Sequence, residues 1–423
     1  MISMQVKDFI KKQQTCSDCG KICLIDSYHN LTYRTLFGKI VLKSPCLNEC
    51  KCKTSKRTRF SPLAQLLTER TSPELYYLEA KWASLMSYGM TAQLLEEVFP
   101  INVCTSSIFN NAHKMSSRLE SELNKEQWSF IDCSQSQWEA LPKPDIPITV
   151  GIDDGYVHGR QEKNCKAGCF EVIVGKSMQG SKASRRFGFV STYDSKHKRR
   201  LHEMLKNQGL QMNQQISFLS DGSNTVRELQ TFMSPNAEHI LDWFHVTMRI
   251  IVMKQIAKGL TNQDLKKDCE KEMDNIKRYL WHGNTFKALK KFGDLSDELY
   301  IIDEHDEKSR ISTREKDIVT KLSNLLENFC TYIENNRNLI PNYGIKYYYG
   351  DVISTAFVES TVNEVVSKRM VKKQQMRWTK KGAHLLLQLR IKNLNKELRR
   401  HFDKCYPRIK AVSGSNGPQE KAE

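Results

Sequence analysis

Residues 148–154 read ITVGIDD, a run of apolar and β-branched side chains that ends on two adjacent aspartates. Two further runs of strand length follow, CFEVIVGKSM at 169–178 and RRFGFVSTY at 185–193. Short runs rich in β-branched and aromatic residues predict β-strands. We therefore expect three strands in series at the start of a sheet.

After these three runs the pattern changes to an alternation of helices and strands. KRRLHEMLKNQG at 198–209 predicts a helix closed by a glycine cap, and TVRELQTFM at 225–233 predicts another helix. QISFLSD at 215–221 and EHILDWF at 238–244 predict the fourth and fifth strands. Three serial strands followed by this alternation indicate an α/β fold with a mixed sheet.

The segments around this sheet differ in composition and periodicity. Long helical patterns follow the fifth strand, and helical patterns return after residue 354. We assign a Cys-rich segment to 1–60, a helical domain to 61–125, a linker to 126–147, the first part of the sheet domain to 148–250, a helical insertion to 251–345, the last part of the sheet domain with basic helices to 346–407, and a disordered tail to 408–423.

Composition and charge narrow the functional classes. The 423 residues carry 65 Lys and Arg against 48 Asp and Glu, a formal net charge of +17. No apolar stretch is long enough for a membrane span, and the N-terminal sequence lacks the apolar core of a secretory signal. We expect a cytoplasmic, nucleoid-associated protein with reduced cysteines and a nucleic-acid partner. The alternative is a basic enzyme unrelated to nucleic acid.

Cysteines cluster near the N-terminus. Cys16 and Cys19 form a CxxC knuckle, and Cys50 and Cys52 form a second, tighter pair. Four such thiolates can complete a tetrahedral Zn²⁺ site. The intervening LTYRTLFGKIVLK predicts the hairpin of a zinc-ribbon-like segment, with Cys46 as a substitute ligand. The alternative is a set of reduced cysteines with no joint role.

Residues 72–122 predict a helix, a turn, a short helix, a turn and a third helix. Ser72 precedes Pro73, which suits a first helical turn, and Thr91 and Thr105 are candidate N-caps. This layout is typical of a helix-turn-helix DNA-binding domain, although an ordinary three-helix packing unit would give the same pattern. The polar residues that could face a DNA groove are Ser106, Asn110, Asn111, His113 and Lys114.

Positive charge is concentrated near the C-terminus. Residues 361–410 hold 15 Lys and Arg and three acids, a net charge of 15 − 3 = +12. Such a patch suits DNA phosphates, although a solvated helix face is the usual role of a charge run. The expected phosphate contacts are Lys368, Arg369, Lys372, Lys373, Arg377, Lys380 and Lys381. Trp378 lies within this run and either stacks on an unpaired base or packs in the core.

Three acidic residues follow the order strand one, strand four and late helix. Asp153 interrupts the first strand, Asp221 follows the fourth, and Glu359 lies on a helix near the C-terminus. Carboxylates aimed into a cleft by a sheet can hold two divalent metal ions for phosphoryl transfer. We prefer Glu359 to Glu364, because the latter lies about 140° further round the helix. Taken singly, each acid could be a turn or surface residue.

The chain resembles the ISKra-type insertion-sequence transposases of the acidic-triad (DDE) class over residues 16–407. The segments that carry the resemblance are GIDDGYVHGR, FEVIVGKSM, FGFVSTYD, ISFLSDGSNTVRELQ, HILDWFHVTMR, RYLWHGN, IPNYGIKYYYG, ISTAFVESTVNEVVSKRMVKKQQMRW and KGAHLLLQLR. The resemblance implies an RNase H-like mixed sheet with a helical insertion, preceded by a zinc-ribbon-like segment and a helical DNA-binding domain. It also implies that Asp153, Asp221 and Glu359 are the catalytic triad.

Residues beyond the triad also match. DWFH is similar to the Asp-x2-His signature that follows the second acid in related transposases, and it maps to Asp242 and His245. These two residues either assist the reaction or bond each other to fix the end of the fifth strand. Asn363, one turn after Glu359, is a further candidate beside the metals. Asp153 and Asp154 stand where the family usually has a single aspartate, and only one can face the site.

The resemblance implies metal-dependent DNA strand cleavage and strand transfer at the ends of an insertion sequence. The implied cofactors are two Mg²⁺ or Mn²⁺ ions and one structural Zn²⁺. The implied partners are the double-stranded DNA of the terminal repeats, the target DNA, and further copies of the chain on DNA, with no membrane. The alternatives are a catalytically inactive DNA-binding protein derived from a transposase and an RNase H-like nuclease.

Overall fold

The computed structural model of the protein describes residues 2–52, 59–99, 101–125, 146–160, 168–211, 214–304, 313–372 and 376–407. The chain forms two units, which we describe separately. Unit 1 comprises Met1–Glu122 and Gln388–Glu423, and unit 2 comprises Leu123–Leu387. The last helices therefore belong with the N-terminal segments, whereas the sequence pattern had grouped residues 346–407 with the sheet domain.

Unit 1 begins with helix α1 (Ile2–Gln14) and a three-stranded antiparallel sheet. The strands are β1 (Ile25–Thr35), β2 (Gly38–Asn48) and β3 (Arg59–Phe60), in the order β1-β2-β3. The turn between the first two strands needs Gly38, whose φ is 111°. The hairpin expected between the two cysteine pairs is thus present.

Five further helices of the described residues begin in unit 1. They are α2 (Pro62–Leu66), α3 (Pro73–Leu85), α4 (Tyr88–Val98), α5 (Thr105–Lys125) and, near the C-terminus, α15 (Leu398–Cys405). Pro73 occupies the first turn of α3 after the N-cap Ser72, as the sequence predicts. The N-cap of α4 is Ser87 rather than Thr91, because the Ser87 side chain accepts from the Met90 N–H and Thr91 is buried one turn later.

Unit 2 is built on a five-stranded mixed sheet in the order β6-β5-β4-β7-β8. The strands are β4 (Ile148–His158), β5 (Cys169–Met178), β6 (Arg185–Val190), β7 (Ile216–Ser220) and β8 (Glu238–Leu241). β4 pairs antiparallel with β5 and parallel with β7, while β5–β6 is antiparallel and β7–β8 parallel. The mixed α/β sheet predicted from the sequence is therefore confirmed.

Helices α6 (His197–Gln208) and α7 (Asn224–Met233) cover one face of this sheet. Ile148, Val150 and Ile152 of β4 alternate along the strand and are buried in one core with Phe218 of β7. The helices contribute to the same core with the apolar side chains Leu201, Met204, Leu205, Val226 and Leu229. Gly209, in the left-handed conformation, ends α6 at the predicted glycine.

A helical region follows the fifth strand. It contains α8 (Trp243–Ala257), α9 (Gln263–Trp281), α10 (Thr285–Glu304), α11 (Thr313–Asn335) and the short α12 (Tyr343–Tyr348). These helices share a core with Leu219 and Leu241 of the sheet. The predicted strand EHILDWF ends at Leu241, because the Asp242 side chain caps α8. Among the helices that the structure describes, none is both long enough and apolar enough to cross a membrane.

One nearly continuous helical segment closes unit 2. α13 (Ala356–Val362) leads directly into a π-helix (Asn363–Val371), and α14 (Lys380–Leu394) follows. The predicted apolar stripe of Val358, Val362, Val365 and Val366 is buried. This segment therefore turns one face toward the sheet and leaves the opposite face to solvent.

Candidate active site and metal centre

The four predicted zinc ligands converge at the base of the β1–β2 hairpin. The ligand atoms of Cys16, Cys19, Cys50 and Cys52 all lie within 4.8 Å of one another. The Cys16 and Cys52 sulfurs are 3.5 Å apart, and those of Cys19 and Cys50 are 3.3 Å apart. Sulfurs on a tetrahedral zinc ion, each about 2.3 Å from the metal, have comparable spacing. The cluster is therefore able to hold a structural metal such as Zn²⁺.

The local backbone favours a thiolate in this cluster. Hydrogen bonds from the backbone N–H groups of Asp18 and Cys19 lower the pKa of Cys16 to about 7. The backbone of Cys52 and the thiol of Cys19 likewise lower the pKa of Cys50. The same neighbouring thiols raise the pKa of Cys52, because they hold its proton. A bound cation would therefore favour the thiolate of Cys52.

The cysteines outside this set occupy other positions. Cys46 pairs with Ser27 across the β1–β2 ladder and is not part of the tetra-Cys cluster. Cys23 is buried beside Leu47 and Cys16. The tighter Cys50-x-Cys52 spacing, which departs from a regular ribbon, is accommodated without either of these residues.

Strand β4 directs Asp153 toward the helix that carries Glu359. Gly151 and Gly155 lie on the same face of β4 as Asp153, since alternate residues of a strand share a face. A Cβ atom at Gly151 would collide with Val358 and lie 2.7 Å from Phe357 Cζ, and one at Gly155 would lie 2.9 Å from Val362 Cγ1. The two glycines therefore let α13 rest directly on the strand.

Asp221 directly follows β7, the parallel neighbour of the strand that carries Asp153. The last aligned pair of the β4–β7 ladder is Gly151 and Leu219, and each aspartate comes two residues later in the sequence. The Tyr332 hydroxyl donates to the Asp221 carbonyl at 2.9 Å, and the Asp221 carboxylate accepts from the Ser223 N–H at 3.0 Å. The helical region thus fixes the backbone that presents this second acid.

Asp242 and His245 lie beside each other and close to Asp153. The fully buried Asp242 carboxylate accepts from the N–H groups of Phe244 and Thr355, each at 2.9 Å, and from the Thr355 hydroxyl. It thereby ties the start of α8 to the start of α13. His245 Nε2 lies 3.5 Å from Asp242 Oδ2 and 3.7 Å from Asp153 Oδ1.

Neighbouring carboxylates favour the charged form of His245. Asp153 contributes most to raising the pKa of this imidazole, Asp242 and Asp221 add to the effect, and burial opposes it. Asp154, on the other face of β4, has a raised pKa because of burial and the negative charges of Asp221 and Asp153. Negative charge is thus concentrated at the middle of β4 and the end of β7.

Glu359 and Glu364 differ in their surroundings. Glu359 is exposed on α13, whereas Glu364 accepts from Arg186 Nε at 2.9 Å. Asn363 donates its backbone N–H to the Glu359 carbonyl, and its side chain accepts from Lys372 Nζ at 2.9 Å. The pairing of Glu364 with the β6 arginine agrees with the preference for Glu359.

The three acids do not form a complete ligand cluster. Among the residues that the structure describes, only two groups of three or more candidate ligands have their atoms within 4.8 Å of one another, and Asp153, Asp221 and Glu359 are not one of them. The helix bearing Glu359 therefore packs on the Asp153 face of β4, but the three carboxylates are not within that distance of one another. Mg²⁺ suits such hard oxygen ligands and often completes its shell with water and substrate phosphates.

The predicted groove-facing residues of α5 fall into two sets. Ser106, Asn110 and Lys114 are exposed at successive turns of the helix. Asn111 instead donates its side-chain amide to Glu79 of α3, and the His113 ring lies 4.0 Å from that of Phe109. The second set contacts other side chains of the helical domain.

The predicted phosphate contacts also divide by exposure. The exposed members are Lys368, Lys372, Arg377, Lys380 and Lys381. Arg369 is fully buried with its guanidinium 5.3 Å from the centre of the Trp378 ring, and Trp378 is 4% exposed. The prediction that Arg369 contacts phosphate is wrong for this conformation, and Trp378 packs in the core. Lys373 lies outside the described residues.

Sequence reasoning missed a second group of candidate metal ligands, in unit 1. The ligand atoms of Glu122, His401 and Cys405 lie within 4.8 Å of one another. His401 Nδ1 is 3.0 Å from the Glu122 carboxylate, and its Nε2 is 3.7 Å from the Cys405 sulfur. The His-x3-Cys spacing on one helical face was the available signal, whereas Glu122 is contributed by a distant helix.

No protein-family model matches the chain, and no curated protein matches it. The functional assignment therefore rests on the residues themselves and on their geometry.

Proposed function

We propose that the protein is a DNA transposase of an insertion sequence, which cleaves DNA at the element ends and joins those ends to target DNA. One observation carries the proposal. Asp153 lies on β4 and Asp221 directly follows its parallel neighbour β7, and the helix bearing Glu359 packs on the same face of β4 as Asp153 through two glycines. This is the placement that a DDE triad requires.

The sheet topology supports an RNase H-like core. Three antiparallel strands, β6, β5 and β4, are followed by two parallel strands in the order β6-β5-β4-β7-β8. The first acid lies on the central strand and the second follows its parallel neighbour. The helical region between β8 and α13 corresponds to the insertion that the resemblance implies.

Asp153, Asp221 and Glu359 would hold two Mg²⁺ or Mn²⁺ ions, which supply activation of the attacking oxygen and stabilisation of the leaving oxygen. The protein's own groups orient these acids. Asp242 ties α8 to α13 by accepting from the backbone and hydroxyl of Thr355. His245 lies within 4 Å of both Asp153 and Asp242, and these carboxylates raise the pKa of its imidazole, which favours a positive charge beside the first acid.

The exposed cations supply the DNA contacts. The lysines on the π-helix and at the start of α14, together with Arg377, would bind phosphates of the terminal repeats and target DNA. Ser106, Asn110 and Lys114 on the exposed side of α5 would face a groove. Zn²⁺ on the tetra-Cys cluster would fix the ribbon. We further propose that several copies assemble on DNA in the nucleoid.

A strand-transfer assay on DNA carrying the element's own ends tests the proposal. Asp153→Asn, Asp221→Asn and Glu359→Gln should each abolish cleavage and joining, because positioning and charge stabilisation supply nearly all of the catalysis. Duplex binding should survive, since removing a carboxylate cannot weaken phosphate attraction. The matched controls are Asp154→Asn on the same strand and Glu364→Gln on the same helix, both of which should remain active.

Each failure has a distinct meaning. Activity in all three triad variants, or its loss in Asp154→Asn alone, would refute the site. Duplex binding with no cleavage by the unmodified protein would favour an inactive transposase derivative. Cleavage without joining would favour an RNase H-like nuclease.

A further inference from the structure

Three adjacent tyrosines are exposed in the helical region of unit 2. Tyr347, Tyr348 and Tyr349, at the end of α12, are 68%, 83% and 75% exposed. Scattered apolar side chains are normal on a protein surface, but a contiguous set marks an interaction site. We call these three residues the aromatic surface.

The aromatic surface rests on a rigid base. The Trp281 ring lies 6.0 Å from the Tyr347 ring, and the Tyr348 and Tyr349 rings meet edge to face at 5.4 Å. A Cβ atom at Gly344 would lie 2.7 Å from Trp281 Nε1, so α12 lies directly against the end of α9. The exposed rings are therefore presented by packed helices.

Basic residues lie along the chain on both sides of Trp281, whose ring supports Tyr347. Residues 275–293 contain five Lys and Arg and no Asp or Glu. Lys291 in this stretch pairs with Glu272 and Asp294, and Lys346 of α12 pairs with Glu238 and Asp351. The cations that remain exposed are Lys277, Arg278, Lys287 and Lys290. Helices next to the exposed rings thus carry charges complementary to phosphates.

We propose that the aromatic surface binds single-stranded DNA. Unpaired bases stack on Tyr347, Tyr348 and Tyr349, and the exposed cations of α9 and α10 bind the backbone phosphates. Base stacking on aromatic rings beside a basic groove is the general mode of single-strand recognition. An apolar protein partner would not require the local excess of four exposed cations. The proposal deepens the transposase function and rests on it for the identity of the DNA.

Continuous aromatic packing links this surface to the acidic site. Trp243 directly follows Asp242, and its ring lies 5.1 Å from that of Trp281 and 4.8 Å from that of Tyr343. The Tyr343 hydroxyl donates to the Leu241 carbonyl at 2.7 Å. A strand held by the aromatic surface would therefore be positioned relative to the acids by one packed unit.

Fluorescence anisotropy with the full chain tests the inference. The probes are a fluorescein-labelled oligo-dT single strand and a duplex of the same length. Tyr347→Ala, Tyr348→Ala and Tyr349→Ala combined should weaken single-strand binding at least tenfold, since each stacked base contributes roughly five- to hundredfold in affinity. Duplex binding should change less than twofold. Unchanged single-strand affinity would overturn the proposal.

Conservative variants separate stacking from hydrogen bonding. The corresponding Tyr→Phe triple variant keeps the rings and should bind the single strand within about twofold of the unmodified protein. Loss of binding in that variant would contradict stacking. Phe37→Ala, at a side chain 93% exposed in unit 1, is the matched aromatic control and should have no effect.

A charge test provides an independent outcome. Lys287→Gln with Lys290→Gln should reduce the salt dependence of single-strand binding, by a slope of roughly 0.7 per lost phosphate contact. An unaltered slope would oppose the assignment of these lysines. If Asp153→Asn keeps strand transfer while the tyrosine variants lose single-strand binding, the triad fails and the aromatic surface stands. If Asp153→Asn abolishes strand transfer while the tyrosine variants keep their single-strand affinity, only the proposal for the aromatic surface is refuted.

Discussion

The tetra-Cys cluster and the acidic site are both sets of candidate metal ligands, yet the chain assembles them to different extents. The four sulfurs of the cluster lie within 4.8 Å of one another. The carboxylates of Asp153, Asp221 and Glu359 do not form such a group. Neutral thiols can approach closely before a cation binds, whereas like-charged carboxylates repel one another. We therefore predict a structural metal at the tetra-Cys cluster. At the acidic site we predict metal binding in which the carboxylates move together around the ion.

The largest expected effect is at the tetra-Cys cluster. Cys16→Ser should lower the zinc content of the full chain by one ion and unfold the hairpin segment, because structural zinc contributes roughly 10 kcal/mol or more to such domains. Metal analysis and circular dichroism after mild chelation would measure both. Cys46→Ser, one strand position from the hairpin base, is the control and should retain the ion. If Cys16→Ser leaves the zinc content unchanged, the tetra-Cys cluster does not hold zinc and its contrast with the acidic site fails.

The next effect concerns the close packing that supports the acidic site. Gly151→Val should destabilise unit 2 by roughly 3 kcal/mol, since the added atoms collide with Val358 and Phe357. It should also abolish strand transfer by displacing α13. Gly293→Ala is the control, because a Cβ there meets nothing within 4 Å, and it should stabilise α10 by about 0.5–1 kcal/mol. Urea unfolding measures both changes, and a stable, active Gly151→Val variant would refute the packing model.

Glu79, a buried carboxylate of unit 1, can be compared with the carboxylates of the acidic site. Burial raises the pKa of Glu79 from its usual 4.5 to about 7, although Asn111 and Arg34 oppose the shift. Between these values the folded protein holds a proton that the unfolded chain has released, so stability falls as pH rises through this window. Relative to Glu79→Gln, the unfolding free energy of the unmodified protein should fall by up to roughly 3 kcal/mol between pH 4.5 and 7.

Glu74 is the matched control for Glu79, because it lies on the same helix but pairs with Arg399 at the surface. Glu74→Gln should cost no more than about 1 kcal/mol above pH 5. The test is to measure the unfolding free energies of the unmodified protein and of both variants at pH 5 and pH 8. A pH-independent difference between the unmodified protein and Glu79→Gln would show that the Glu79 carboxyl stays in one protonation state.

The smallest effect concerns His245. His245→Ala should lower the unfolding free energy by about 1 kcal/mol, as expected for the loss of one polar contact network at a partly exposed site. It should also reduce strand transfer, because the positive charge beside Asp153 is removed. A lower melting temperature with full activity would leave only the structural role. His29→Ala, at an exposed position of β1, serves as the surface control.

Local signals predicted much of this fold. The β-branched runs gave the strands of unit 2, and the CxxC knuckle with its paired cysteines gave the tetra-Cys cluster. Both are patterns in which short-range residue spacing dictates geometry. The strand ending at Leu241 was predicted too long, because the Asp242 side chain begins a helix at residues that are apolar enough for a strand.

Non-local contacts were beyond the reach of the sequence. The burial of Arg369 against Trp378 depends on tertiary packing, and a basic run gives no sign of which cation turns inward. The grouping of α15 with the N-terminal unit likewise depends on contacts between residues more than 300 positions apart, such as Arg399 with Glu74. The aromatic surface was visible only as three adjacent tyrosines until the structure showed their exposure.

The π-helix at Asn363–Val371 makes this segment sensitive to changes in length. A π-helix accommodates one more residue per turn than an α-helix, as shown here by the Lys372 N–H, which bonds to the Ser367 carbonyl at 2.7 Å. Deleting one residue would let the segment relax into a continuous α-helix. The cations after Val362 would then rotate by roughly a quarter turn relative to Glu359. Insertions and deletions, rather than substitutions, are therefore the route by which related chains could re-aim their basic side chains while keeping the same acids.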